Sequence, residues 1–600
     1  MLRRSSTTNL RPAHIVAVLV LHSALVLWLT WPLGAHLTSE LAYTRAPCGY
    51  DSLYMGWVLA HESHALTSDP RSFLDGNIFH PTRHALLYGD TGFGALPYFM
   101  PTFLLTGNPT LALNLLFLGG IVLTASSLHV AVAAWTASQP AGFVAATTFL
   151  GSRWVLWDFI PSAPSYAMLQ YFPAILLLAA RPVTSLRRAL LLWLLVFLQC
   201  LTDVVYVASA VLPALALIAG LRLLGRSNRR TGLWLVAVVA GAALCLVPIY
   251  AAHLSLRAEN PDLQTQTFWR MPAPLPTYLP WGPLTTGPAA VQPAAWLPIA
   301  LGAVAAVLHS AWRRLHAAPA IPEVGTRGVT AARAGTAAGA VWPVVAVWTA
   351  FGLIASCKPI AAWNGRWILL PQAYLARWLP QLRALRVPSR LGVAALMGLG
   401  VLAGIGFAEC ARWLPAGSRG RARSFTAWAA AILLAGAMYS SYRDGGEPLP
   451  HSYPLAEPSG LRPGLATVLR GSTGPLLELP VLGPAGGLAP ELHAPAMYRS
   501  IFHWRPLLNG YSSYWPAGFL ERMRLASRLP DLASGRPDSS LSPALLELRA
   551  KTGLESILVH LSELPPAQRE QWLALAERGA GGLELVGRDG DELVFAVGRP

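Results

Sequence analysis

At 600 residues, 54 % of them hydrophobic and 12 % charged, with a mean hydropathy of +0.44, the chain is far more apolar than soluble domains, in which about 25 % of residues are charged. A soluble enzyme is excluded. The net charge of +16 is unevenly placed: 30 Lys and Arg face 12 Asp and Glu up to Ser441, against 15 and 17 from Tyr442 onward. All basic residues except Lys358 and Lys551 are Arg, a bias that, with abundant Ala, Gly and Pro, reflects genome composition and not nucleic-acid binding. Five scattered cysteines (Cys48, Cys200, Cys245, Cys357, Cys410) lack Cys-x-x-Cys spacing and read as buried thiols, with neither a zinc site nor a disulfide framework.

A bilayer core takes about 20 mostly apolar residues per helix. Eleven runs qualify, near 13–34, 109–134, 138–158, 162–180, 187–203, 205–224, 231–252, 293–311, 340–357, 389–411 and 425–441. The first follows Arg3, Arg4 and Arg11 and is too long for a signal-peptide core, so it reads as a retained anchor. With the N-terminus inside, the even-numbered turns hold the Arg clusters: Arg181, Arg187 and Arg188; Arg222, Arg226, Arg229 and Arg230; Arg313, Arg314, Arg327 and Arg333; Arg412, Arg419, Arg421 and Arg423. Basic connections stay in the cytoplasm, and eleven spans then put the tail outside. The expected architecture is an all-α polytopic membrane domain over 1–441, with a large outer loop at 36–92, followed by an extracytoplasmic α/β domain over 442–600. The expected location is a bacterial inner membrane.

The stretch Gly94 to Thr106, broken by Pro97 and Pro101, suits a re-entrant or interfacial segment better than a span. In the tail, Gly474–Val481 and Ser556–His560 read as buried strands, Pro565–Glu577 as a helix, and Leu583–Val597 as a hairpin turning at Asp589-Gly590. Gly398-Leu-Gly400-Val-Leu-Ala-Gly404 mimics a phosphate loop but lies within an apolar helix, so Gly400 and Gly404 read as a small-residue packing face.

Ten of the twelve acids before Ser441 fall on the outer side, which marks that face for acid–base or metal chemistry. Asp51 heads them, placed just before the helix-like Met55–His64, where Trp57, His61 and His64 share one face. That helix is expected at the membrane interface. His61 is its candidate substrate contact; metal ligation by His61 and His64 is a rarer reading than plain surface histidines, since no third ligand is near. On the same side, Lys358, Arg366, Arg377, Arg383, Arg386 and Arg390 stand without an acid among them. They fit either a lipid-linked phosphate or anchoring to anionic headgroups, since Arg binds phosphate bidentately.

The chain resembles the GT-C superfamily of polytopic membrane glycosyltransferases, and within it a group of bacterial membrane proteins. The residues that carry the likeness are Gly49-Tyr-Asp-Ser, Asn77-Ile-Phe-His-Pro81, Tyr88-Gly-Asp90, Asn108-Pro-Thr-Leu-Ala-Leu-Asn114, Leu385-Arg-Val-Pro-Ser-Arg390 and Asn509-Gly-Tyr-Ser-Ser-Tyr-Trp-Pro516. The resemblance implies sugar transfer from a polyprenyl-phosphate donor to an acceptor on the outer face. Asp51 would then be the base and Asp90 a second acid. A divalent metal shared by the two is the alternative arrangement. Arg386 and Arg390 match the group's Arg-x-Pro-x-Arg neighbourhood; apart from the resemblance, the basic constellation makes Lys358, Arg386 and Arg390 the candidate substrate contacts, with Arg386 or Arg390 on the departing phosphate. Asp51 stands alone where the family pairs its acids. The expected partners are membrane lipid and a lipid-linked sugar donor. The rival readings are a transporter or flippase, against which no internal repeat and few midplane charges are seen, and a non-catalytic envelope assembly protein.

Overall fold

The computed structural model describes residues 12–42, 49–225, 229–260, 273–274, 291–315, 343–363, 366–378, 385, 387–412, 420–440, 453–458, 460–483, 486–529, 543–578 and 582–598. Arg386, Arg383, Cys48, Asp262 and Glu323 lie outside the described residues.

The chain is mostly helical. Helix α1 covers Pro12–Leu29, α2 Asp51–Ser68, α3 Leu96–Thr106, α4 Pro109–Thr136, α5 Gln139–Leu150, α6 Tyr171–Ala180, α7 Leu186–Thr202, α8 Tyr206–Leu224 and α9 Arg229–Glu259. Among the described residues, α1, α4, α8, α9 and Pro388–Arg412 are long and apolar enough to cross a membrane, and shorter apolar helices occupy Tyr171–Ala180, Pro293–Ala305, Pro343–Ala355 and Ser424–Ser440. Leu224, Leu233 and Leu244 stand exposed on the outside of this bundle, where lipid replaces water as their partner. The chain is a multi-pass membrane protein.

The windows expected to span at 138–158 and 162–180 hold instead the 12-residue α5 and the 10-residue α6, joined by a buried stretch with a short π-helical turn at Trp154–Asp158. Pro161, Pro164 and Pro173 sit in this window, and each removes a backbone donor a continuous helix would need. Helix Val393–Arg412 packs between α5 and the helix Trp296–Leu315. Gly400 and Gly404 permit that approach: a Cβ on Gly404 would stand 2.7 Å from the Ala141 carbonyl. The thiols differ from the buried reading, for Cys200 is buried but Cys245 is exposed and Cys357 and Cys410 are half-buried.

Helix α2 also departs from its expected place. Residues Ser52 to Ser63 are buried without interruption, because α2 lies between α3, α4 and the distant helix Pro490–Ser500. Helix α3, at 11 residues, reaches about 17 Å at 1.5 Å per residue, well short of a bilayer core.

In the C-terminal third, strands Leu476–Leu479, Ser556–His560, Glu592–Val597 and Leu583–Asp589 form a sheet in that spatial order. The first pair is parallel and the other two antiparallel. The hairpin turns at Gly590, whose φ of +57° suits glycine. Beside Leu476, residues 505–509 extend this layer and take on residues 77–80: Leu476 and Leu508 exchange backbone bonds with Pro506 and Leu476, while Phe79 and His80 donate to Asn509 and Leu507. One hydrophobic core therefore contains the first long loop (Trp57, Phe79), α3 (Phe99) and the C-terminal unit (Leu477, Phe519, Phe595). The bundle has its own core around α4, α5 and α8.

Candidate active site

Asp51 is the first residue of α2, following the turn at Gly49 and Tyr50. The partial positive charge of a helix N-terminus favours a carboxylate there. Its Oδ1 accepts a 2.7 Å hydrogen bond from the Tyr511 hydroxyl of the C-terminal unit. One turn along α2, the Tyr54 hydroxyl donates to the Asp90 backbone carbonyl at 3.1 Å. Burial, and after it the Asp90 charge, push the Tyr54 phenol far above its ordinary range, so it stays neutral. Gly89 makes the close approach: a Cβ there would lie 2.2 Å from Tyr54 Oη and 2.5 Å from Ser512 Oγ.

Arg390 enters from the short turn Pro388–Gly392 ahead of its helix. Its Nη1 is 3.6 Å from Asp90 Oδ2, and its guanidinium lies 4.1 Å from the Phe159 ring centroid and 4.9 Å from that of Tyr206. Aromatic faces suit a weakly hydrated guanidinium. The wall beneath is itself fixed. Asp203 caps α8 by accepting the Val205 backbone N–H at 2.9 Å and takes the Tyr166 hydroxyl, while Tyr206 Oη accepts the Val387 N–H at 3.1 Å.

Asp51, Tyr54, Asp90, Phe159, Tyr206 and Arg390 line one cavity of about 200 Å³, to which α9 adds His253 and Arg257 and the loop 511–514 adds its own side chains. It holds a carboxylate on a helix end, a second carboxylate tied to a guanidinium, and several tyrosines. Such a set can take a proton from a hydroxyl, hold a phosphate and offer ring faces to a sugar.

Asp51, Asp90 and Arg390, chosen from the sequence, are thus brought together. Lys358 is exposed and does not line the cavity. His61 is also away from it, buried, stacked on Trp57 at 5.3 Å and bonded to the Phe73 carbonyl at 3.1 Å. Its pKa is pushed down to about 4 by burial. His64 stacks on Trp504 at 4.1 Å. Among the described residues no three His, Cys, Asp or Glu side chains gather as metal ligands, and Arg390 engages the Asp90 carboxylate. Tyr206, Arg257 and Tyr511 also line the cavity, and the placement of acids in the sequence does not reveal them, although Tyr511 sits inside the motif Asn509–Pro516.

The fold is similar to that of a solved arabinofuranosyltransferase. The particular likeness is to the cryo-EM structure of arabinofuranosyltransferase AftD from Mycobacteria, at a TM-score of 0.56 and 15 % identity, covering 100 % of this chain and 41 % of that one. A mutant form of AftD gives a TM-score of 0.47 at 16 % identity, covering 97 % of this chain and 41 % of that one. This chain therefore spans about two-fifths of the length of the protein it matches. No protein-family model and no curated protein sequence matches it.

Proposed function

We propose that this chain is an integral membrane glycosyltransferase that moves a sugar from a polyprenyl-phosphate donor to an acceptor hydroxyl on the outer face of a bacterial inner membrane. One observation carries the reading: Asp51, Asp90 and Arg390, far apart in sequence, meet in one cavity where the helical bundle adjoins the C-terminal unit. The Arg clusters in the even-numbered turns support an N-terminus in the cytoplasm and a C-terminal unit outside, a parity that is unchanged when α5 and α6 are not counted as spans.

In this mechanism the acceptor hydroxyl oxygen attacks the anomeric carbon while the bond from that carbon to the phosphate oxygen breaks. Asp51 takes the hydroxyl proton, and polyprenyl phosphate leaves with the bonding pair. Arg390, oriented by Asp90 and its aromatic bed, stabilises the charge that grows on the phosphate.

The test is Asp51→Asn, assayed on membranes supplied with a polyprenyl-phosphate-linked sugar. Asn preserves size but takes no proton at neutral pH, so turnover should fall by about 10²–10⁴-fold with expression and folding retained. Near-normal transfer removes Asp51 from the role of base.

A further inference from the structure

We infer that Tyr511 of the C-terminal unit is a positioning residue for Asp51, so that the catalytic wall is complete only when this unit is docked on the first long loop. The inference rests on the glycosyltransferase reading for its meaning in turnover, but the contact itself is independent of it. Three observations carry it.

The phenolic hydroxyl donates to Asp51 Oδ1 at 2.7 Å, a charge-assisted bond that both orients the carboxylate plane and favours its ionised form. The ring that presents the hydroxyl is held on two sides, edge-on to Tyr54 with centroids 6.1 Å apart and tilted against Trp515 at the same separation. The backbone that carries the ring is fixed in turn. The Tyr511 N–H points to Met497 Sδ at 2.9 Å, and the Asn509 side chain bonds the Glu478 N–H and carbonyl, each at 2.8 Å. The Phe79 N–H of the first loop reaches the Asn509 carbonyl at 2.9 Å. Asp51 is therefore oriented through a chain of bonds that begins on the C-terminal sheet and is braced by the loop that carries Asp51 itself. A phenol on so constrained a ring orients a carboxylate in a way that a mobile water cannot.

The experiment uses the full chain in lipid nanodiscs. The Asp51 carboxylate band is isolated by infrared difference against Asp51→Asn and titrated in the parent, in Tyr511→Phe and in a chain bearing 3-fluorotyrosine at position 511. Loss of a hydrogen bond to the charged form should raise the midpoint by about one pH unit in Tyr511→Phe. The more acidic fluorophenol, which keeps the ring and donates more strongly, should lower it. In transfer assays Tyr511→Phe should show kcat down about tenfold, the worth of one modest hydrogen bond, with KM for the lipid-linked donor unchanged and the acid limb of the pH profile moved upward. A midpoint that moves in neither variant overturns the positioning role, whether or not the parent transfers sugar. Midpoints that move in opposite directions in a chain that transfers no sugar uphold the contact and refute the glycosyltransferase reading instead.

Discussion

Arg499→Ala probes the charge cluster on which the C-terminal unit is built. Glu478 and Arg499 are 2 % and 3 % exposed, and Arg499 Nη2 and Nε lie 2.6 and 2.8 Å from Glu478 Oε2. His560 Nε2 approaches the same oxygen at 3.1 Å, and His560 Nδ1 meets Glu592 at 3.2 Å. Burial alone would raise the Glu478 carboxyl, but Arg499 and then His560 outweigh it and hold the pKa down at about 2. Removing Arg499 strands a buried carboxylate, at a cost of about 3–5 kcal/mol. For a unit of roughly 150 residues, losing about 2–4 °C per kcal/mol, that predicts a Tm about 6–20 °C lower. The sign with pH follows from the depressed carboxyl. Its contribution is full above the ordinary value of 4.5 and is lost as pH falls toward 2. His560 behaves oppositely: burial and Arg499 lower its pKa, but the bonds to Glu478 and Glu592 outweigh them and raise it. Its share is present below 6.5 and disappears as pH climbs through the higher folded value. The variant's deficit should accordingly be largest near neutral pH and shrink on acidification, as the stranded carboxyl takes up a proton. Thermal unfolding of the full chain in detergent, followed by circular dichroism at several pH values, reads this directly. A Tm loss below about 2 °C, or one independent of pH, would refute a buried ionic cluster as the keystone of this unit.

Gly89→Ala should cost transfer activity about tenfold or more and destabilise by about 1–3 kcal/mol, the usual range for overpacking. Its Cβ would collide with Tyr54 Oη and Ser512 Oγ, moving the loop that carries Asp90. Parent-like turnover and melting would show that the loop yields freely. Glu62→Gln addresses a different carboxyl, one that is fully buried and pushed up to about 8 by burial against the opposing Gly92 N–H. A raised acid contributes its stability below pH 4.5 and loses it as pH rises through 8. The parent should therefore lose stability relative to Glu62→Gln across that window, and melting curves whose difference is flat with pH would contradict the burial argument.

Much of this was legible in the sequence where the determinants are local. The strand at Ser556–His560 matches its sequence window, the helix expected at 565–577 covers Pro566–Arg578, and the hairpin turns at Gly590. Asp51, Asp90 and Arg390 were identifiable because acids are scarce before Ser441 and because Arg390 lies where topology disfavours it. What was not legible depends on distant contacts. Helix α2 is expected at the membrane interface, yet Ser52 to Ser63 are buried without interruption, because its second cover comes from Pro490–Ser500. The Tyr511 hydroxyl reaches Asp51 across 460 residues, beyond any periodicity. Windows of hydropathy also measure apolarity and not continuity, which is why 138–180 reads as two spans although α5 and α6 are short.

The pairing of residues 77–80 with 505–509 has a bearing on how the protein is made. Asn77 and Arg505, joined through side chain and backbone, are separated by 428 residues. A ribosome adding about 5–20 residues per second takes about 20–90 s to cover that distance. Throughout that interval Ile78 and Phe79, buried in the finished protein, lack the segment 505–509 that pairs with them and the C-terminal part of their core. An unpaired apolar edge of this kind invites association with other chains. Folding of this chain is therefore favoured by whatever keeps the first long loop apart from other chains until residues 505–509 arrive. In a chain cut short before residue 505 the same loop stays without its partner segment.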